Sequence, residues 1–210
     1  MTVKGKFIIA EGLDFAGKSA TLDELTKLIG SDETFVFTRE PGGLNNPIAE
    51  SVRELVLNGE NMDPLTEGYL FAASRAEHTK RIKSLLEDGK TVICDRFVYS
   101  SLYYQGILKN VGHKTIFNIN KEALSGIKPD LILYFTVSEE EKKKRMAKRL
   151  EVNRLDKDTE NINLLTANLN YLNMIHTYKP RTAKVEIIDT TNITAEQAAE
   201  KVLEMIINNI

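Results

Sequence analysis

The chain has one cysteine in 210 residues, so no internal disulfide can staple it. That residue, Cys94, follows Thr91-Val92-Ile93 and reads as an inert core thiol. Net charge is scarce too. Against 30 Asp and Glu stand 28 Lys and Arg, and the resulting −2 gives no support for broad binding to nucleic acid or to a membrane surface. No apolar run approaches the ~20 residues of a membrane span. Met1-Thr2-Val3-Lys4-Gly5 leads directly into a strand pattern, without the apolar stretch of a signal peptide. A cytoplasmic location is therefore expected. His78, His113 and His176 are scattered without ligand spacing, so no protein-held metal cluster is expected. Repeats, low-complexity tracts and Pro/Gly/Ser linkers are missing as well, and 1–210 reads as a single domain.

What is present is alternation. Short, mostly β-branched runs at Lys6–Ala10, Thr34–Thr38, Thr91–Cys94, Leu131–Val137 and Val185–Ile188 read as strands. Between or after them, helical patterns occupy Lys18–Ile29, Pro47–Leu57, Leu65–Glu87, Tyr99–Leu108, Glu139–Leu150, Thr159–Tyr178 and Ala195–Ile207. This order predicts an α/β fold, a five-stranded parallel sheet flanked by helices in three layers. Such sheets bind ligands beyond the carboxyl ends of their strands.

The first strand ends in Gly12-Leu13-Asp14-Phe15-Ala16-Gly17-Lys18-Ser19, the pattern G-x-x-x-x-G-K-[ST]. A buried strand before it and a helix after it are the context that a phosphate-cradling loop requires. Backbone N–H groups of Gly12 to Ala20 and the helix N-terminus would face anionic oxygens. Lys18 would neutralise β/γ-phosphate charge, and the Ser19 hydroxyl would ligate Mg²⁺. A nucleoside triphosphate site is the reading. Later strand ends add Thr38-Arg39-Glu40-Pro41-Gly42-Gly43, then Asp95-Arg96, then a basic run from Lys142 to Arg154. Arginine forks at these ends suit phosphate oxygens.

Glu11-Gly12-Leu13-Asp14, Ala16-Gly17-Lys18, Thr38 to Gly43, Phe71-Ala72-Ala73-Ser74-Arg75, Asp95-Arg96, Ser100, Tyr104-Gln105-Gly106 and Lys128-Pro129-Asp130-Leu131 together resemble thymidylate kinases of the bacterial type. The resemblance implies a P-loop NTPase fold with a short lid at about 141–158. It also implies an ATP-dependent enzyme that phosphorylates dTMP to dTDP, with Mg²⁺ as cofactor and a homodimer as assembly. By the same resemblance Phe71 stacks on thymine, Arg75 bonds the base edge, Ser101 lies near the pyrimidine N3, and Gln105 belongs to the dTMP-binding set. Tyr104 packs under the sugar, and Asp14 engages the 3′-hydroxyl. Asp95 supports Mg²⁺, while Arg39 and Arg96 hold the acceptor phosphate. Phe15 stands where this branch usually has glycine, and it cannot supply the arginine that another branch carries there. Lys144-Arg145, Arg149 and Arg154 match the lid that provides that charge instead, with Asn153 and Asp156 departing from the usual acids. The loop Asp189 to Asn192 is expected to border adenine.

Two other classes share part of the pattern. A deoxynucleoside kinase would keep the P-loop and Asp95-Arg96, but Arg39 with Arg96 points to an acceptor that already carries phosphate. A regulatory P-loop switch would need a guanine-reading N-K-x-D signature, and Asn120-Lys121-Glu122-Ala123 lacks the aspartate. No general base is expected, because the attacking phosphate oxygen is already ionised.

Overall fold

A computed structural model describes residues 5–148 and 163–209. Five parallel strands form its sheet: β1 (Phe7–Gly12), β2 (Phe35–Arg39), β3 (Thr91–Asp95), β4 (Leu131–Thr136) and β5 (Lys184–Asp189), in the order β2-β3-β1-β4-β5. β1 is central. Its register sets Ala10 beside Asp95 on one flank and Leu133 on the other, and Arg39 of β2 lies beside Asp95. The strand ends that carry charged residues therefore meet along one edge.

Alternation along β1 divides the core into two layers, as a period of two demands. Phe7 and Ile9 join Val92, Cys94, Ile132 and Tyr134 on one face. Ile8 and Ala10 join Ile93, Leu133 and Phe135 on the other. The second face is covered by α1 (Lys18–Ile29) and the C-terminal helix α8 (Ala195–Asn209), through Leu22, Leu25, Val202 and Ile206. Against the first face lie α3 (Pro64–Glu87), α4 (Val98–Ser101), α5 (His113–Ala123) and α7 (Leu164–Tyr178). α2 (Pro47–Asn58) packs on α3, and α6 (Glu139–Lys148) follows β4.

Local chemistry starts the helices where the sequence indicates. Asn46 caps α2 by accepting from the N–H groups of Ile48 and Ala49, and Asp63 caps α3 by accepting from those of Leu65 and Thr66. Proline follows each cap, at a position whose missing N–H costs nothing.

Two elements differ from expectation. The helix read at Tyr99–Leu108 is α-helical only through Ser101 and continues as a π-helical segment over Leu102–Leu108. Helix α5 is absent from the sequence reading because its Asn, Thr and β-branched content has modest helix propensity. Its buried Ile116, Asn120 and Ala123 nevertheless recur at helical spacing. The expected helical positions 149–150 and 159–162 lie outside the described residues.

Candidate active site

The loop between β1 and α1 is shaped by its glycines. Gly12 has φ +140°, and a Cβ there would overlap the carbonyl oxygen of Phe135 on the neighbouring strand. Gly17 caps α1 at φ +85°, where a Cβ would meet Nη1 of Arg145 at 3.0 Å. Both positions exclude side chains. Phe15 adopts φ +66° without that freedom, a conformation that a bulky residue keeps only when its surroundings hold it there. Part of that hold comes from Arg145, whose Nη1 donates to the Phe15 carbonyl at 3.1 Å.

Arg145, matched to the lid by its sequence, has further partners beside the phosphate loop. Its Nε donates to Glu141 at 3.0 Å, Nη1 also donates to Thr190 Oγ1 at 2.9 Å, and Nη2 donates to the Thr190 carbonyl at 2.8 Å. Thr190, just after β5, in turn donates to the Ala16 carbonyl at 3.0 Å. One guanidinium thus ties α6, the phosphate loop and the loop after β5 together.

Above these loops opens a cleft of about 480 Å³. It is lined by the expected Asp14, Phe15, Gly17, Lys18, Ser19, Ala20, Arg39, Phe71, Arg75, Asp95, Arg96, Ser101, Tyr104 and Gln105. Gly12, Leu13 and Ala16 lie beneath it. Leu13 and Ala16 point into the two core layers, so only their backbone can serve a ligand. Arg149, Arg154, Asn153 and Asp156 lie outside the described residues.

Lys18 is buried at the cleft floor, and burial, followed by the nearby Arg96 charge, pushes its ammonium pKa down. Ser19 Oγ donates to Asp95 Oδ2 at 3.1 Å. The other oxygen, Oδ1, is buried with no hydrogen-bond partner among the described residues. An orphaned carboxylate oxygen beside a serine hydroxyl is a hard-oxygen pair suited to Mg²⁺ or its coordinated water.

Arg96 follows Asp95 in the left-handed region, at φ +67°. Its Nη1 donates to the Gly12 carbonyl at 3.1 Å and to Ser100 Oγ at 3.2 Å, and its Nη2 pairs with Asp14. Tyr104 donates to the other Asp14 oxygen at 3.1 Å, beneath the Arg96 guanidinium, which sits 5.3 Å from the ring centre. Asp14 is therefore a shared anchor for two cleft side chains. The turn itself is held by Glu11, fully buried on the Phe7–Ile9 face of β1. It accepts from the Phe97 N–H at 2.9 Å, Ser100 Oγ at 2.7 Å and Tyr171 Oη at 2.6 Å. Burial raises the Glu11 pKa, and the hydrogen bonds from Tyr171, Ser100 and Phe97 oppose the rise.

Phe71 and Arg75 share one face of α3 and both reach the cleft. Arg75 is almost wholly buried, so its fork is already partly spent. Nε donates to Glu40 Oε2 at 2.8 Å, Nη1 pairs with Asn120 Oδ1, and Nη2 donates to Ser101 Oγ at 3.2 Å. Of five N–H groups, two remain for a ligand. Glu40 also meets His78 Nδ1 at 3.1 Å, just before a cis peptide bond to Pro41. Arg39 is half-exposed and rests on both oxygens of Glu50, at 2.9 and 3.1 Å.

Sequence reasoning missed Arg53. Its Nη1 donates to the Pro41 carbonyl at 3.0 Å, and it lines the cleft with Arg39 and Arg96. Burial, then the charge of Arg39, lowers its pKa. Its place on α2, two residues beyond Ser51, carries no motif signal. Glu11, Glu40, Asn120 and Tyr171 support the site from below, and only Glu11 and Glu40 lay inside recognisable motifs.

Comparison with known proteins bears on this arrangement. The thymidylate kinase family model matches residues 10–205. Thymidylate kinase of Limosilactobacillus reuteri is 39% identical over 209 residues, covering 95% of this chain and 92% of the relative. That of Ligilactobacillus salivarius is 36% identical over 217 residues, covering 99% of each. A Mycoplasmoides gallisepticum thymidylate kinase reaches 44% identity over 161 residues, 75% of each chain. Among solved structures, thymidylate kinase from Candida albicans superposes with a TM-score of 0.73 at 27% identity, covering 100% of this chain and 94% of the other.

Proposed function

Because the chain belongs to the thymidylate kinase family, we propose how its own residues carry out the family's reaction. The enzyme transfers the γ-phosphoryl group of ATP to dTMP, giving dTDP and ADP. The observation that carries the assignment of roles is the convergence, in one cleft, of the phosphate loop with Lys18, the Ser19–Asp95 pair, three arginines and the Phe71–Arg75 face.

ATP lies with its phosphates in the loop from Gly12 to Ala20, held by backbone N–H groups and by Lys18. Ser19 and Asp95 would hold Mg²⁺, directly or through water, and the metal would supply charge neutralisation for the transferring phosphates. Thymine lies against Phe71, its edge toward the remaining N–H groups of Arg75 and toward Ser101 and Gln105. Tyr104 and Asp14 meet the sugar. Arg39, Arg53 and Arg96 surround the acceptor phosphate; the Glu50 carboxylate holds Arg39 ready and yields it when phosphate binds. Positioning and charge supply most of the acceleration in phosphoryl transfer, so no residue is needed as a base. Arg149 and Arg154 act as lid arginines, a role supported by their spacing in the sequence.

ADP release with ATP–Mg²⁺ tests this reading. We expect dTMP to exceed dUMP by roughly 10- to 200-fold in kcat/KM, since one methyl in an apolar pocket is worth about 1–3 kcal/mol. Equal turnover of thymidine and dTMP would remove the arginines from the acceptor phosphate.

Its assembly is read as a homodimer. Support comes from Ile48 and Leu55, more than half exposed, which with Val52 line one side of α2, and from Leu65 and Tyr69 on α3. Sedimentation equilibrium giving a monomer at micromolar concentration would reject it. No described helix is long and apolar enough to cross a membrane, and the use of ATP supports a cytoplasmic place of work.

A further inference from the structure

Behind the base pocket lies a buried ionic group that no step above uses. Glu67, on α3 one turn before Phe71, is fully buried. Its Oε1 accepts from Gln105 Nε2 at 2.7 Å, and Lys109 Nζ lies 2.9 Å from each of its oxygens. Gln105 is itself buried but reaches the cleft wall. Lys109 follows it by four residues, just past the π-helical segment that carries Gln105.

A side-chain amide alone can present either its NH₂ or its oxygen to a ligand, and the two faces have almost the same shape. Here the choice is made. Paired with Lys109, Glu67 is a carboxylate, which only accepts hydrogen bonds. It therefore takes the NH₂ of Gln105, and turning the amide over would set oxygen against a buried negative charge. Among the described residues nothing bonds Gln105 Oε1.

We infer that Glu67 and Lys109 are positioning residues for base selection, locking the Gln105 amide so that its oxygen faces the base pocket. An acceptor there favours a pyrimidine whose ring nitrogen carries hydrogen, as N3 does in thymine. It disfavours cytosine, whose N3 offers a lone pair. The inference rests on the cleft at Phe71 and Arg75 being the base pocket, as proposed above.

Calorimetric titration of dTMP and dCMP into the full-length enzyme, with steady-state kinetics on dTMP, tests it. Glu67→Gln replaces the carboxylate with a group that meets either amide orientation. The preference for dTMP over dCMP should fall by about tenfold or more, the worth of one hydrogen bond to a charged group. KM for dTMP should rise by a larger factor than kcat falls, because contacts to the base are made in both ground and transition states. Glu67→Asp keeps the charge beside Lys109 but shortens the reach; it should show a smaller loss of preference, and it carries the test if Glu67→Gln does not fold. Gln105→Met should weaken dTMP binding and erase the same preference. Weakened dTMP binding in Gln105→Met, with an unchanged base preference in both Glu67 variants, would overturn the inference and leave the pocket assignment standing. Unchanged dTMP affinity in Gln105→Met would overturn the pocket assignment itself.

Discussion

Replacing Tyr171 with phenylalanine removes one hydroxyl from the floor of the active site and changes almost nothing else. The ring is fully buried and stacks on Tyr103 at 4.8 Å, and phenylalanine keeps that contact, so no cavity term of consequence arises. What is lost is the hydrogen bond to Glu11 Oε2 at 2.6 Å, together with the 2.7 Å contact between the Tyr171 hydroxyl and Ser100 Oγ. A bond to an ionised group is worth about 1.5–3 kcal/mol, which for a chain of this size lowers Tm by roughly 3–12 °C. The pH dependence is the sharper test. Burial raises the Glu11 pKa above its ordinary 4.5, so the folded chain holds that proton more tightly than the unfolded chain does. Stability from this group is complete below 4.5 and is lost as pH rises through the raised value. The Tyr171 hydroxyl opposes the rise, so Tyr171→Phe lifts the pKa further and loses more stability over the same interval. The deficit should therefore grow as pH rises through the raised value and shrink as pH falls toward 4.5. Urea denaturation of both proteins at intervals from pH 5 to 8 measures it. A deficit that stays constant with pH, or stays below about 0.5 kcal/mol throughout, would refute the argument that Tyr171 stabilises an ionised Glu11.

Two further outcomes follow from the cleft. Arg96→Ala should raise the dTMP KM and lower kcat while leaving ATP affinity nearly intact, as the proposed role of Arg96 in binding and aligning the acceptor requires; separate titrations of dTMP and ATP check this, and a defect confined to ATP would move Arg96 to the donor side. Arg149→Ala should cut single-turnover chemistry by up to about 10³–10⁵ with dTMP affinity preserved, the signature of charge supplied mainly in the transition state; near-normal single-turnover rates would return the basic run to a solvated surface.

The phosphate loop, the five parallel strands and the position of the site beyond their carboxyl ends were legible along the chain, for a local reason. Gly12 and Gly17 are required by backbone geometry within the loop itself, and Phe7 to Ala10 announce a doubly buried strand by composition alone. Motifs adjacent in sequence, such as Asp95-Arg96 and Phe71 with Arg75, likewise carry their own spacing. Contacts between distant segments carry no such signal. Sequence assigns Arg145 only to a basic lid, yet packing places it on Phe15 and Thr190, 130 and 45 residues away. Arg53 lines the cleft only because α2 folds over Pro41. Glu11 finds Tyr171 across 160 residues, and Glu67 finds Gln105 across 38. A buried charge must acquire partners whatever their place in the chain. Sequence shows that a polar group lies on a buried face; only the tertiary structure decides which distant side chain satisfies it.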